Sequence, residues 1–114
     1  MKYMLQIRWG GAEVAISKLS ADEQQQVFAE FEAILNSPGI LDANQLQPIA
    51  TASTVTVENE HTNVAEGPAV EAGLALDGYY LYDAADRDAA IGLASRIPAA
   101  RLGATVEVRP VVER

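Results

Sequence analysis

Apolar and polar residues alternate at the start of the chain. Tyr3, Leu5, Ile7 and Trp9 fall on one side and Met4, Gln6 and Arg8 on the other, until Gly10-Gly11 ends the pattern. A period of two is the mark of a half-buried strand. The next pattern is helical. Ser20-Ala21-Asp22-Glu23 has the spacing of a capping box, and Val27, Phe28, Phe31, Ile34 and Leu35 then recur at helical intervals as far as Pro38-Gly39. A connection rich in Asn, Gln and Pro follows, with a minor extra strand near Leu41–Gln47. Ser53–Glu58 alternates with a β-branched bias, Asn59-Glu60-His61 interrupts it, and Thr62–Ala65 reads as a hairpin return.

Gly67-Pro68 closes that return, and the weakly patterned stretch to Leu76 predicts a short helical turn before an aromatic strand over Gly78–Asp83. Asp83 and Asp86 are both placed to cap a second helix, whose apolar face reads Ala90, Ile91, Ala94 and Ile97 and which Pro98 terminates. Thr105–Arg109 alternates once more before Pro110. The resulting order, β-α-β-β-α-β, is that of a ferredoxin-like split βαβ fold of the α+β class.

This topology puts both helices on one side of the sheet. If Leu5, Ile7, Val106 and Val108 face the helices, then Met4, Gln6, Arg8, Glu107 and Arg109 stand on the uncovered face. That face is mixed in character, as expected where two sheets meet, and a homodimer built through the sheets is the expectation.

Composition narrows the function. At 114 residues the chain has the size of one domain, and 49% hydrophobic against 21% charged residues is globular rather than disordered. Sixteen acidic against eight dispersed basic side chains give a net charge of −8, which repels phosphate backbones and argues against nucleic-acid binding. The absence of cysteine removes disulfides, thiolate nucleophiles and cysteine-based metal sites, and suits a reducing compartment. Met1–Ile7 is too short and too polar for a signal peptide, and no apolar run approaches bilayer length. A cytoplasmic protein without membrane contact is expected.

Several residues resemble those of a known family. Met1-Lys2-Tyr3-Met4-Leu5, Glu66-Gly67-Pro68, Gly78-Tyr79-Tyr80-Leu81, Ser95-Arg96-Ile97-Pro98 and Val106–Val111 look like the YCII-related family, in particular its DGPF-domain branch, in matching order over nearly the whole chain. The resemblance implies one domain over residues 1–114 that pairs as a dimeric α+β barrel. It also implies two functional settings: DGPF-type proteins resemble neighbours or fusion partners of extracytoplasmic-function sigma factors, and YCII-like relatives include enzymes acting on small aromatic or lactone compounds. This chain departs from the pattern in three places. The Asp-Gly-Pro-Phe of the branch is here Glu66-Gly67-Pro68-Ala69; the stretch Val70–Asp77 has lost its lysine and hydroxyl groups; and the first helix carries Gln24, Gln25, Gln26 and Glu30 where YCII-like enzymes place a histidine.

Candidate chemistry follows from residue types. His61 is the only histidine and sits in the hairpin turn, where a solvated role is the simpler reading. Glu66 either holds the turn through backbone amides or serves as a general base, and Tyr80 and Tyr82 on one strand face either pack in the core or present phenols to a cavity. These three are the candidate catalytic groups. Arg8, Glu107 and Arg109, with Trp9 at the strand end, are the candidate ligand-binding set: two arginines recognise a carboxylate, or else form an ion-pair network in an interface. The acidic residues lack metal-ligand spacing, so neither metal nor cofactor is expected. The first expectation is a dimeric domain that binds a small anionic or aromatic ligand or a protein partner. The alternative is a cofactor-independent isomerase, lyase or dehydrochlorinase-like enzyme.

Overall fold

A computed structural model describes residues 1–114, the side chain of Ala72 excepted. Six strands and four helices run in the order β1 (Lys2–Arg8), α1 (Ala12–Ser17), α2 (Ala21–Leu35), β2 (Ile40–Gln45), β3 (Ser53–Glu58), β4 (His61–Glu66), β5 (Gly78–Asp83), α3 (Arg87–Arg96), α4 (Pro98–Arg101) and β6 (Thr105–Pro110). Single 3₁₀ turns at Ile49–Thr51 and Ala72–Leu74 lie on either side of the β3–β4 pair.

Four strands form an antiparallel sheet in the order β2-β5-β1-β6. With β2 and β5 as the second and third core strands, this is the ferredoxin-like arrangement expected from the sequence. One assignment is corrected. The segment expected as a minor extra strand, near Leu41–Gln47, supplies the edge strand β2, whereas the stronger pattern at Ser53–Glu58 pairs only with β4. Thr, Val and Ser give β3 its extended bias, but register with the core sheet belongs to β2, whose Ala43 lies opposite Tyr80. The β3–β4 hairpin stands apart, turning through Asn59 and Glu60 at positive φ of 49° and 67°. Two left-handed residues match the twist of a two-residue hairpin turn. Val55 lies opposite Val64, and with Val57 they form an exposed apolar stripe on one side of the ribbon.

The helix-facing side of the sheet makes the core. Tyr3, Leu5, Ile7 and Tyr80 are buried against Ile34, Ala90, Leu93, Ala94 and Ile97. Leu5, Leu93 and Ile97 are fully enclosed, each contributing on the order of 1.5–3 kcal/mol through burial. Val106 and Val108 flank this cluster, as their alternation predicts. In α3 the buried face is Ala90, Leu93 and Ala94, and Ile91 points away from it. Asp86 rather than Asp83 caps this helix, accepting the Ala89 N–H at 2.8 Å. Pro98 ends α3 but also begins the short α4, since a proline at the first helical position needs no N–H partner.

Ser20 and Glu23 close the capping box of α2 in both directions, each at 3.2 Å. The Ser20 contacts hold the Glu23 carboxyl below its ordinary range. The apolar face of α2 is wider than the core beneath it. Val27 and Ile34 are buried and Phe31 is half-buried, but Phe28 and Leu35 remain 60% and 48% exposed. The stripe Phe28, Phe31 and Leu35 faces a different space.

Candidate functional site

That space is a cavity of about 780 Å³ on the helix side of the sheet. Phe28, Phe31 and Leu35 of α2 form one wall, Ile7, Ala43 and Tyr80 the sheet floor, and Leu46–Ile49 the outer rim. Helix α1, with Glu13 and Ile16, lies at its lip. Its volume falls in the range of sites for small organic molecules, and its lining is mainly apolar. The cavity exists because α2 packs over β2 while α3 and α4 pack over β6, so the two helical groups cover the sheet unevenly.

Trp9 stands just beyond the end of β1 and faces Phe31, with ring centroids 6.2 Å apart and planes tilted by 56°. A tilted pair at this separation is a favoured aromatic arrangement. Its backbone is held from two sides: the Trp9 N–H donates to Asp77 Oδ2 at 2.7 Å, and its carbonyl accepts from Ala12 N at 2.8 Å. Asp77 in turn donates its N–H to the Ile7 carbonyl at 2.9 Å and accepts from Leu46 N at 2.8 Å. One residue thus joins the end of β1, the start of β5 and the rim segment after β2. Gly10, at φ +53°, turns the chain from Trp9 into α1; a Cβ there would lie 3.0 Å from the Gly103 carbonyl.

Tyr80 is 6% exposed and lies on the cavity floor. Among the described residues none hydrogen-bonds its hydroxyl, and burial pushes the phenol above its ordinary range. At neutral pH the group is therefore a protonated hydrogen-bonding handle in an apolar setting. Two carboxylates, Glu13 and Asp77, are the charged groups of the lining; among the described residues it carries no Lys or Arg.

The sequence-derived candidates are dispersed. Trp9 and Tyr80 both line the cavity. Tyr82 packs against the core beside Gly39, where a glycine Cβ would come within 2.9 Å of its ring. Glu66 ends the exposed β4, and among the described residues its carboxylate accepts no hydrogen bond, contrary to the turn-holding role expected for it. Backbone and hydroxyl groups hold that turn instead: Gly67 N donates to Ala52 O and Thr54 Oγ1 donates to Gly67 O, each at 2.7 Å. His61 is exposed at the hairpin tip, opposite Glu58.

Arg8, Glu107 and Arg109 do share the uncovered face, with Met4, Gln6, Tyr79 and Leu81. The expected convergence of the arginines is not found within the chain. Arg8 is registered with Thr105 and Arg109 with Met4, four positions apart along β1, or about 13 Å at strand spacing. Arg8 Nε donates to the Leu74 carbonyl at 3.1 Å, while Arg109 Nη1 lies 3.7 Å from Glu107 Oε2. Farther along the same face Tyr79 donates its hydroxyl to Asp42 Oδ2 at 3.2 Å and accepts from Asn44 Nδ2 at 2.8 Å.

Sequence reading passed over Asp77, Glu13 and the helix α1 that carries Glu13. The signal that was present lies in α2, whose apolar arc is too broad for one contact. Among the described residues no group of three or more His, Asp or Glu is gathered as a metal site, and no helix is long and apolar enough to cross a membrane.

The family model for the YCII-related domain matches residues 1–114, and the chain belongs to that family. No curated protein matches the sequence.

Proposed function

We propose that this YCII-related domain binds a small organic molecule in the cavity between α2 and the sheet, and works as a homodimer joined through the uncovered sheet face. The observation that carries the binding reading is the mainly apolar space of about 780 Å³ beside the Tyr80 phenol, which no described residue hydrogen-bonds. A ligand-sized cavity with few polar groups is the usual form of a small-molecule site. Of the residues singled out in the sequence, Trp9 and Tyr80 serve it. Arg8, Glu107 and Arg109 belong, on this reading, to the dimer contact, where a mixed face of Met4, Leu81 and charged groups meets its copy. The Gly67-Pro68 turn supports placement in the DGPF branch even though Glu66 and Ala69 replace the Asp and Phe of its motif, with a cytoplasmic setting and a sigma-factor-related partner as the context that branch implies.

A second reading, cofactor-independent proton transfer on a small aromatic compound, rests on Tyr80 alone among the three catalytic candidates. Glu66 and Tyr82 are not in the cavity lining. A phenol with a raised pKa donates a hydrogen bond to a carbonyl but is a poor base at neutral pH, so binding is favoured over turnover.

A thermal-shift screen over small carboxylates, phenols and lactones tests the binding reading, because a ligand selective for the native state raises the melting temperature. Trp9, the single tryptophan, reports cavity occupancy through its emission. Hits should disappear when Phe31→Asp places a charge in the wall of a chain that remains folded by circular dichroism. A screen without any hit overturns the cavity reading.

A further inference from the structure

We infer that the cavity selects an aromatic amine, a flat apolar ring system bearing a protonated nitrogen, over the neutral or anionic compound of the same shape. This inference rests on the reading of the cavity as a ligand site and adds the charge of its occupant. Three features point to it.

Trp9, Phe28 and Phe31 supply aromatic walls. Aromatic faces attract cations through the ring quadrupole, tryptophan most strongly. Glu13 and Asp77 are the charged groups of the lining, both negative, with no arginine or lysine among its described residues to pair an anion. The whole chain, at −8, adds a field of the same sign.

Tyr80 supplies the third and independent feature. Its side chain is buried on the floor of the cavity, and no described residue hydrogen-bonds its hydroxyl. The hydroxyl oxygen is not one of the sealed, unpartnered side-chain atoms, so it opens into the cavity, where a ligand group that hydrogen-bonds it takes the place of water. An ammonium N–H donates to the phenol oxygen while its charge is balanced by the two carboxylates at the rim. A ligand carboxylate would find the same phenol as donor, but would also face Glu13 and Asp77. Like charges in a partly dry site disfavour it.

Calorimetry on the full chain at pH 7 with three probes of one shape tests the inference: 1-naphthylmethylamine, 1-naphthalenemethanol and 1-naphthoate. The amine should bind about tenfold more tightly than the naphthoate, a difference in line with one charge-assisted contact. Glu13→Gln should weaken the amine several-fold and leave the alcohol unchanged, and Tyr80→Phe should weaken both. Equal binding of all three probes, or tighter binding of naphthoate, overturns the inference while leaving a ligand cavity in place. Failure of every probe to bind overturns both the inference and the cavity reading. An amine preference that survives Glu13→Gln and Asp77→Asn together also overturns it, because the selectivity would then arise elsewhere.

Discussion

Asp77 accepts the backbone N–H of Trp9 at 2.7 Å, and so sets where the tryptophan ring meets Phe31. The carboxylate lies 68 residues downstream of that N–H, and the bond ties the end of β1 to the start of β5. Loss of the acceptor leaves a partly buried donor unpaired. Asp77→Ala should destabilise the protein by about 1–3 kcal/mol and shift the Trp9 emission to longer wavelength. Asp77→Asn keeps an acceptor oxygen and should recover most of both effects. Denaturant unfolding followed by tryptophan fluorescence measures the two together.

Gly39 occupies the turn between α2 and β2 at φ +93°. A Cβ there would stand 2.7 Å from the Asp83 carbonyl and 2.9 Å from the Tyr82 ring. Backbone cannot yield as a flexible side chain does, so Gly39→Ala should cost about 1–3 kcal/mol. Gly73, with nothing within 4 Å of a Cβ, is the control: Gly73→Ala should leave the melting temperature nearly unchanged.

Burial raises the Tyr80 pKa above its ordinary value near 10. The phenol is neutral in both folded and unfolded chains below that value, so its effect on stability is then constant. As pH climbs past about 10 the unfolded chain ionises first, and stability falls until the folded-state pKa is passed. Melting curves from pH 8 to pH 11 should show an alkaline decline that is shallower in Tyr80→Phe. Equal declines in the two proteins would count against a buried phenol at this position.

Leu81 and Met4 lie side by side on the uncovered face, with Arg109 next in the row. A charge in that row should break the proposed dimer without entering the core. Leu81→Glu is expected to elute as a folded monomer in size-exclusion chromatography with light scattering, where the parent chain elutes as a dimer at micromolar concentration. A monomeric parent would refute the sheet-to-sheet contact.

The β3–β4 hairpin pairs only with itself, and nearly all of its residues are exposed. A free two-stranded ribbon is marginally stable in water. Hydrogen exchange at low protein concentration should find the amides of 53–66 exchanging well before those of β1, which is paired on both edges.

The two halves of the chain were not equally legible. Around β1, α2, β5 and β6 the hydrophobic period agrees with the burial that the fold imposes, and the Ser20–Glu23 box appears as its spacing requires. Between residues 40 and 66 local pattern and tertiary role diverge. Ser53–Glu58 has the better strand composition, yet Ile40–Gln45 occupies the sheet edge. Alternation records what a residue prefers on a pleated surface, and partner choice depends on which segment reaches β5 in register.

The cavity was legible only as an anomaly. Phe28 and Leu35 extend the apolar face of α2 beyond what its core contact uses, but a helical period cannot tell a residue that fills a core from one that lines a hollow. Asp77 gave less warning still, because an acidic residue before a glycine reads as an ordinary turn until its oxygen is found on the N–H of Trp9. Arg8 and Arg109 show the converse: period two placed them on one face, while their separation along it came from the pairing of β1 with β6.

By itself, then, the sequence determined the α+β class, the order of the core elements apart from the exchange of β2 for β3, and the face on which each core-strand side chain stands. These follow from local periodicity and capping, which act over a few residues. The tertiary structure alone decided which strand takes the sheet edge, that α2 leaves a hollow beside Tyr80, and that Asp77 is the residue holding Trp9 there. Each depends on groups far apart in the chain meeting at a particular distance, and no local pattern carries that information.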